Sequence, residues 1–394
     1  MQKTKRTKIL LLITITLFWF AQYVYVPFHT PYLLFLGASS AFVGIIVGTY
    51  GLAQMFFRIP VGMLADRRGR YKGLIIAGFI CAVLASLLRL VFPVPAAFLA
   101  ANLLSGITSS SWVALTVLYS SLYSEEELKK ATGHVMASNN AGILLGFVVS
   151  MFVADNSGVW FVFAASMGAA LLGLVTIVFV KENPPIQKPL EQTPLKSIMT
   201  NKTLVYYSLL ALVLQAVVLS TALSFTTSYA EQLTSAKVDI SLCMIIFEIT
   251  TVFSSLLVGH LKRASANAIV CILFGGLTLS CFFIPLSAFM TELYIWQGIA
   301  GLANGGIITL VMAFALQGVD RACKATVMGT FQALYAIGMT LGPMLMGTLV
   351  DAWGYTAGYW GMALLPAAAA AAIVIRSRVQ KMSQNSVDSA QRVK

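Results

Sequence analysis

The 394-residue sequence predicts an all-α integral membrane protein with twelve transmembrane helices. Hydrophobic residues make up 58% of the chain and charged residues 10%, whereas soluble domains carry about 25% charged residues. Long apolar runs recur along the whole chain, and basic residues cluster in alternate loops between them. These three observations argue against a soluble enzyme, a nucleic-acid-binding protein and a disordered chain.

Each apolar run is long enough to cross a hydrocarbon core of about 30 Å as a helix. A helix also satisfies its own backbone hydrogen bonds, which lipid cannot do. We number the runs as spans 1 to 12: residues 8–32, 40–63, 73–93, 95–122, 131–154, 158–180, 203–229, 239–260, 266–288, 291–317, 325–350 and 354–375. The first run follows basic residues without a small-residue cleavage site, so we expect span 1 there, not a signal peptide.

The basic residues predict the orientation of the chain. Most of the 26 lysines and arginines lie before span 1, in every second loop and after span 12, whereas Lys237 lies in a loop on the other side. By the positive-inside rule both termini are cytoplasmic, in a multi-pass protein of the cell membrane. The formal net charge of +12 is dispersed over all the inner loops, which argues against a nucleic-acid partner.

The absence of several motifs limits the possible functions. The five cysteines lack disulfide or metal-ligand spacing, and no cluster of histidine and cysteine suggests a metal site. No phosphate-binding glycine loop or catalytic triad appears. We therefore expect no cofactor, no metal and no enzyme activity.

The sequence predicts two halves. A proline- and charge-rich segment, residues 182–202, separates an N-terminal six-helix bundle at 1–181 from a second bundle at 203–376, with a cytoplasmic tail at 377–394. Similar triplets recur at a nearly constant offset, for example at residues 30–32 and 227–229. Gly133, Gly142 and Gly146 have almost the spacing of Gly329, Gly338 and Gly342. The halves therefore form a parallel repeat.

The loop after span 2 reads Gly62-Met63-Leu64-Ala65-Asp66-Arg67-Arg68-Gly69-Arg70-Tyr71-Lys72. It resembles motif A of the major facilitator superfamily, with Tyr71 departing from the pattern. Together with twelve spans and duplicated halves, the resemblance covers nearly the whole chain. It implies two pseudo-symmetric six-helix bundles that expose a midplane site alternately to each side, as in twelve-span bacterial drug or metabolite efflux members.

We expect Gly62, Asp66, Arg67, Gly69 and Arg70 to form a gate. Gly62 and Gly69 permit close approach and a tight turn, and Asp66 stays ionised among arginines. The resemblance implies that Asp66 meets the positive N-terminus of span 11 and latches the two halves together. The alternative is that this loop only sets the topology.

Span 11 and span 2 supply candidate interdomain residues. The set Gly338, Gly342 and Pro343 resembles motif C of antiporters, although that motif belongs in span 5, where Phe147 replaces the proline. Packing through small residues is the alternative. Arg58 either snorkels to the headgroups, pairs with Asp66 or balances a substrate charge. Arg89 is expected to anchor the outer end of span 3.

Glu248 is the one acid well inside a predicted span, and buried charge in lipid points to function. Ser241, Thr251 and Ser255 share its helix face. We hypothesise that Glu248 carries a coupling proton; a hydrogen-bonded structural acid is the alternative. His29 is a second candidate, because imidazole titrates near neutral pH.

The resemblance implies that spans 1, 4, 7 and 10 line the cavity. Candidate lining residues on coherent helix faces are Gln22, Tyr25, Tyr32, Asn102, Ser109, Trp112, Gln215, Thr226, Tyr229, Gln297 and Asn304. Polar packing between helices is the alternative for each. Asn102 stands where many drug–proton antiporters of the family carry an arginine. These side chains favour neutral or weakly cationic ligands.

The sequence therefore predicts secondary transport by alternating access, with proton-coupled export of small amphipathic compounds as the first hypothesis. Proton-linked uptake or exchange of a small organic metabolite is the alternative, and lipid flipping is a third. The expected partners are a small-molecule substrate, a proton or a sodium ion, and the lipid bilayer, with the chain acting as a monomer.

Overall fold

The structure is a computed structural model that describes residues 2–124, 127–182, 198–234, 236–258, 263–317, 319 and 324–392. These ranges are almost entirely helical and contain no strand. Eleven of their helices are long and apolar enough to cross a membrane. The longest, Thr326–Arg378, has 53 residues and would extend about 80 Å if straight, more than twice the hydrocarbon thickness. Gly354 breaks it with φ 81° and ψ 175°, so it forms two spans and the count is twelve, as predicted.

The spans follow one another with short connections. Span 1 consists of Gln2–Tyr23 and Val26–Phe35, span 2 of Ser40–Arg68, span 3 of Lys72–Val91, span 4 of Pro95–Ser110 and Trp112–Ser120, span 5 of Leu128–Ser157 and span 6 of Trp160–Phe179. Span 7 consists of Lys202–Ser220, the π-helical turn Thr221–Phe225 and Thr226–Leu233; span 8 is Lys237–Val258, span 9 is Arg263–Phe283 with the 3-10 turn Ile284–Leu286, and span 10 is Met290–Ala315. Spans 11 and 12 share Lys324–Arg392 and divide at Gly354.

Local chemistry sets several of these helix ends. Ser39 accepts a hydrogen bond from the Phe42 amide (3.2 Å) and caps span 2. Gly69 ends the same helix with φ 56°, in the left-handed region that glycine adopts without a Cβ clash. Asn201 caps span 7 by accepting from two backbone amides. The tight turn that the sequence required at Gly69 is therefore present.

Equivalent helices of the two halves pack through equivalent glycines. A Cβ on Gly142 in span 5 would collide with the Thr16 carbonyl of span 1, and a Cβ on Gly338 in span 11 would collide with the Leu212 carbonyl of span 7. Close approach of this kind requires a small residue at each helix contact. The matching contacts show that the two halves repeat the same helix packing as well as the same sequence pattern.

The two bundles meet mainly where spans 2 and 11 run side by side, with further contacts between spans 5 and 8 and between the ends of spans 1 and 7. At the predicted outer end, the Ser40 amide donates to Asp351 Oδ1 over 3.2 Å. Farther along, a Cβ on Gly44 would overlap the Pro343 carbonyl oxygen. A Cβ on Gly329 would be 2.7 Å from the Arg58 carbonyl oxygen. Spans 2 and 11 are therefore in contact over most of their length.

The boundaries of the two halves stay a prediction. The expected linker 182–202 falls largely on residues 183–197, which lie outside the described ranges. On the N-terminal side, Glu182 accepts hydrogen bonds from the backbone amides of Tyr71 and Lys72, and the Lys72 ammonium group donates to the Val178 and Val180 carbonyls. The end of span 6 is thereby fixed to the start of span 3.

Candidate transport cavity

A cavity of about 60 Å³ lies between the first bundle and span 7. Its lining residues come from spans 1, 2, 4 and 7: Gln22, Tyr23, Tyr25, Val26, His29, Val47, Tyr50, Asn102, Leu219, Leu223 and Ser224. Two breaks in helix geometry border it. Span 1 is interrupted between Tyr23 and Val26, and span 7 winds into its π-helical turn at Thr221–Phe225. Such irregular backbone is tolerated at membrane depth where it is buried in protein or lines a cavity.

A hydrogen-bond network fixes one wall of the cavity. Gln22 Nε2 donates to the Ser105 carbonyl (2.9 Å) and to Ser109 Oγ (3.1 Å). The Tyr50 hydroxyl lies 2.7 Å from the same Ser109 oxygen. Spans 1, 2 and 4 are thus held in register by one amide and two hydroxyl groups, and Ser109 supports the lining residues from behind.

Asn102 links this wall to a buried arginine. Its Nδ2 donates to the Ile46 carbonyl (2.9 Å), and its Oδ1 accepts from Arg89 Nη2 (2.7 Å). Arg89 Nη2 also donates to Ser105 Oγ (3.0 Å), and the guanidinium carbon lies 4.2 Å from the centre of the Tyr25 ring. Arg89 is only 2% exposed, so the expectation that it anchors the outer end of span 3 was wrong. Position along the chain places Arg89 near a helix end, but its side chain turns inward to span 4.

His29 lines the same cavity and is buried. It lies beside Asn102 and within electrostatic reach of Arg89. Its Nε2 has no hydrogen-bond partner. A buried ring nitrogen without a partner is a group available to a ligand.

Glu248 lies 5% exposed on span 8, and its Oε1 has no hydrogen-bond partner. It interacts electrostatically with Tyr23 in the cavity lining. Farther along the predicted polar face, Thr251 and Ser255 donate to the Gly301 and Gly305 carbonyls of span 10, both over 3.1 Å. Part of that face therefore packs span 8 against span 10, while Glu248 lies near the first bundle.

The structure brings together only some of the cavity candidates. Gln22, Tyr25 and Asn102 line the cavity with His29. Tyr32 packs against Phe98 and Phe163, and Trp112 packs edge-on against Trp19. Both belong to the aromatic interior of the first bundle, because rings of this size fill space between the helices.

The candidates of the second half lie outside the cavity lining as well. The Thr226 hydroxyl bonds to the Tyr359 hydroxyl (2.7 Å), and the Tyr229 hydroxyl donates to the Ser287 carbonyl (2.9 Å). Gln297 Nε2 donates to the Ala222 carbonyl (3.1 Å) in the π-helical turn. Asn304 faces Thr251 of span 8, and Gln215 is half-buried on span 7.

Sequence reasoning missed several lining residues: Tyr23, Val26, Val47, Tyr50, Leu219, Leu223 and Ser224. Tyr50 could have been found, because Tyr50 and Gln54 place polar groups one turn apart in a largely apolar span. The aliphatic residues carry no such signal, since apolar side chains face both lipid and cavity.

The gate candidates and the interdomain candidate Arg58 differ in their exposure. Gly62 is buried, Arg67 and Arg70 are exposed, and the side chain of Asp66 lies outside what the structure describes. Arg58 is 3% exposed; its Nη1 donates to the Tyr335 hydroxyl of span 11 over 2.6 Å.

The three span 11 candidates contact different partners. Gly338 and Gly342 face span 7 of their own half, whereas the Pro343 carbonyl lies against Gly44 of the other half. The two glycines therefore allow span 11 to pack closely against span 7 within the second half.

Comparison with known proteins identifies the family. A sequence profile of the Major Facilitator Superfamily matches residues 11–292 and 230–393. The inner membrane transport protein YajR of Escherichia coli is 27% identical over 178 residues, which are 41% of this chain and 36% of that protein. The multi-drug resistance efflux pump PmrA of Streptococcus pneumoniae is 23% identical over 366 residues, 86% of this chain and 88% of that protein.

The fold has solved counterparts. The nucleoside transporter NupG has a TM-score of 0.73 and 14% sequence identity, with 95% of this chain and 99% of that chain covered. At this identity the likeness concerns the fold alone. The profile match over both halves, the twelve spans and the cavity lined from both halves lead to one conclusion: the chain is a multi-pass membrane transporter of the major facilitator superfamily.

Proposed function

We propose that the chain exports small amphipathic compounds in exchange for protons by alternating access. The observation that carries the proposal is the cavity lined by aromatic, amide and aliphatic groups, with the buried Glu248 carboxyl in electrostatic contact with Tyr23 of its lining. Aromatic and aliphatic groups suit an apolar body, and a few polar groups orient it. Similarity to PmrA, a multi-drug resistance efflux pump, over 86% of the chain supports the outward direction.

In this proposal Glu248 is the proton carrier. A carboxyl group that lacks an ion-pair partner and lies near the cavity can bind a proton in one state and release it in another. Its electrostatic interaction with Tyr23 of the cavity lining supports this role. His29, which lines the cavity, is the second candidate for proton coupling.

The segment from Gly62 to Arg70, which forms the last turns of span 2 and the turn after it, acts as the inner latch in the same proposal. The left-handed turn at Gly69 ends span 2, and about three helical turns before it Arg58 joins span 2 to Tyr335 of span 11. Separation of spans 2 and 11 at this end would open the cavity inward. We also propose that both termini are cytoplasmic and that the chain works as a monomer.

Proteoliposomes with imposed gradients test the proposal. The full-length protein is reconstituted, loaded with members of an amphipathic compound library and given a pH gradient or a sodium gradient. We expect a pH gradient, and not a sodium gradient, to drive transport against the compound gradient, with proton flux in the opposite direction. Transport driven by sodium, or cotransport of compound and proton in one direction, would contradict the proposal and favour uptake.

Glu248→Gln isolates the coupling step. We expect this variant to lose proton-driven accumulation while it still exchanges compound for compound at equal concentrations, because exchange needs no net proton movement. Glu292→Gln is the matched control, since Glu292 is exposed at the start of span 10. Full proton-driven transport by Glu248→Gln would exclude this residue as the carrier.

A further inference from the structure

Arg89 is a buried cation with no acidic partner among the residues that the structure describes. Its described contacts are the Asn102 carbonyl oxygen, the Ser105 hydroxyl and the Tyr25 ring, all of them neutral. Its Nε is buried and makes no hydrogen bond. A guanidinium removed from water normally requires a negative partner, because the loss of hydration is costly. The structure therefore leaves positive charge behind the cavity wall uncompensated.

One side chain separates this charge from the cavity. Asn102 lines the cavity and accepts from Arg89 through its carbonyl oxygen. In a low-dielectric protein wall, two charges separated by one side chain interact far more strongly than the same charges in water. An anion in the cavity would therefore be attracted to Arg89 through the Asn102 amide.

His29 provides a direct contact on the same wall. Its ring lies in the lining beside Asn102, and its Nε2 has no partner. In the tautomer that carries the proton on Nε2, this nitrogen is a buried hydrogen-bond donor without a protein partner. Donors and positive charge thus converge on one part of the cavity wall.

The other charged groups near the cavity have opposite effects on an anion. Glu248 acts on Tyr23 and opposes an anion when it is ionised, but Arg89 has no carboxylate among its electrostatic partners. Arg58, the second buried arginine, lies within electrostatic reach of Tyr50 in the lining. It adds positive charge on the span 2 side of the cavity.

We propose that the cavity recognises cargo through a negatively charged group, a carboxylate or a comparable anion, that accepts a hydrogen bond from His29 and is attracted by Arg89. Arg89 acts as a positioning residue through Asn102, and His29 touches the ligand. The inference rests on the proposed transport function and specifies its substrate class as amphipathic anions. It replaces the expectation of neutral or weakly cationic ligands, which treated Arg89 as an outer-end anchor.

Equilibrium binding to a matched panel tests the inference. The full-length protein in lipid nanodiscs is titrated with 1-naphthylacetate, its amide and 1-naphthylethylamine, together with homologous triplets on other aromatic bodies. Within each triplet only the headgroup differs. We expect the carboxylates to bind about tenfold tighter than the amides, the gain typical of a charge-assisted hydrogen bond over a neutral one.

Substitutions at Arg89 separate charge from packing. We expect Arg89→Gln to remove the carboxylate preference while amide binding persists, and Arg89→Lys to restore most of it. A merely structural role of Arg89 would weaken carboxylate and amide equally. Arg376→Gln is the matched control, because Arg376 is exposed and its guanidinium lies over the Tyr206 ring, away from the cavity lining.

His29→Gln supplies an independent variant if Arg89→Gln fails to fold, and it should reduce the preference several-fold. Carboxylates that bind no better than amides across the panel, whether all members bind or none does, would overturn the inference. So would a preference that both variants retain.

Binding is measured without any gradient, so a selective site in a protein that fails to pump would contradict only the exporter proposal. Proton-driven transport without headgroup preference would contradict only the anion site.

Discussion

Two arginines show how far a side chain's environment can differ from its position along the helix. Arg89 lies two residues before the end of its helix and Arg58 lies near the end of span 2 predicted from the sequence, where long basic side chains usually reach the headgroups. In the structure both are buried. Arg58 is held by the Tyr335 hydroxyl and Arg89 by Asn102 and Ser105. Each guanidinium therefore links two helices instead of reaching the membrane surface.

Tyr335→Phe tests the first of these contacts. The substitution removes the hydroxyl that accepts from Arg58 but keeps the ring, whose centre lies 5.3 Å from the guanidinium. We expect a loss of about 1.5–3 kcal/mol, the range for a hydrogen bond to a charged group, seen as a lower thermal unfolding temperature in detergent. Tyr32→Phe is the control, because the Tyr32 ring packs against other aromatic rings. Equal unfolding temperatures for the two variants would show that the Arg58 contact contributes nothing.

Helices are joined in this protein mainly by close backbone approach. The contacts of Gly142 with span 1 and of Gly338 with span 7 repeat one arrangement in both halves. The same close backbone approach joins the two halves at Gly44, where a Cβ would overlap the Pro343 carbonyl oxygen. The break in span 1 after Tyr23 likewise has a counterpart in the π-helical turn of span 7 at Thr221–Phe225. The repeat therefore extends to the irregular parts of the helices.

Gly44→Ala should separate spans 2 and 11. The added methyl group would overlap the Pro343 carbonyl, and overpacking of this kind costs about 1–3 kcal/mol. We expect a lower unfolding temperature and slower transport. Gly168→Ala in span 6 is the matched control, because a Cβ there meets no atom within 4 Å and alanine favours helix over glycine by up to about 1 kcal/mol. The prediction is contradicted if both variants unfold at the same temperature.

The two halves together enclose the cavity. Spans 2 and 11 are in contact along one side, and near the predicted outer face Thr30 of span 1 bonds to Ser224 of span 7, with 2.8 Å between the hydroxyl oxygens. Ser224 also lines the cavity. In an alternating-access cycle this contact must break for the cavity to open outward.

A disulfide between positions 30 and 224 should block that step. We expect Thr30→Cys with Ser224→Cys, in a chain whose five native cysteines are replaced, to lose transport on oxidation and regain it on reduction. Thr14→Cys with Thr176→Cys is the matched control, because those hydroxyls lie 2.9 Å apart within one bundle. Transport that continues in the oxidised 30–224 pair would refute opening at this contact.

Patterns along the chain were sufficient to predict the membrane class, the twelve spans, the parallel repeat and the family, because each depends on local residue order. Apolar run length, loop charge and a contiguous motif are all read without knowing which helix neighbours which. The sequence also pointed to Gln22, Tyr25, His29 and Asn102, since polar side chains are rare inside apolar spans.

Which polar groups share a cavity and which join helices depends on how the helices pack in three dimensions. Thr226 and Tyr359 satisfy each other, whereas His29 Nε2 is left free, and both outcomes depend on neighbours distant in sequence. The role of Arg89 follows only from its hydrogen bond to Asn102 on the next helix. The physical reason is that the cost of a buried charge is set by the groups around it in space, which spacing along one helix does not specify.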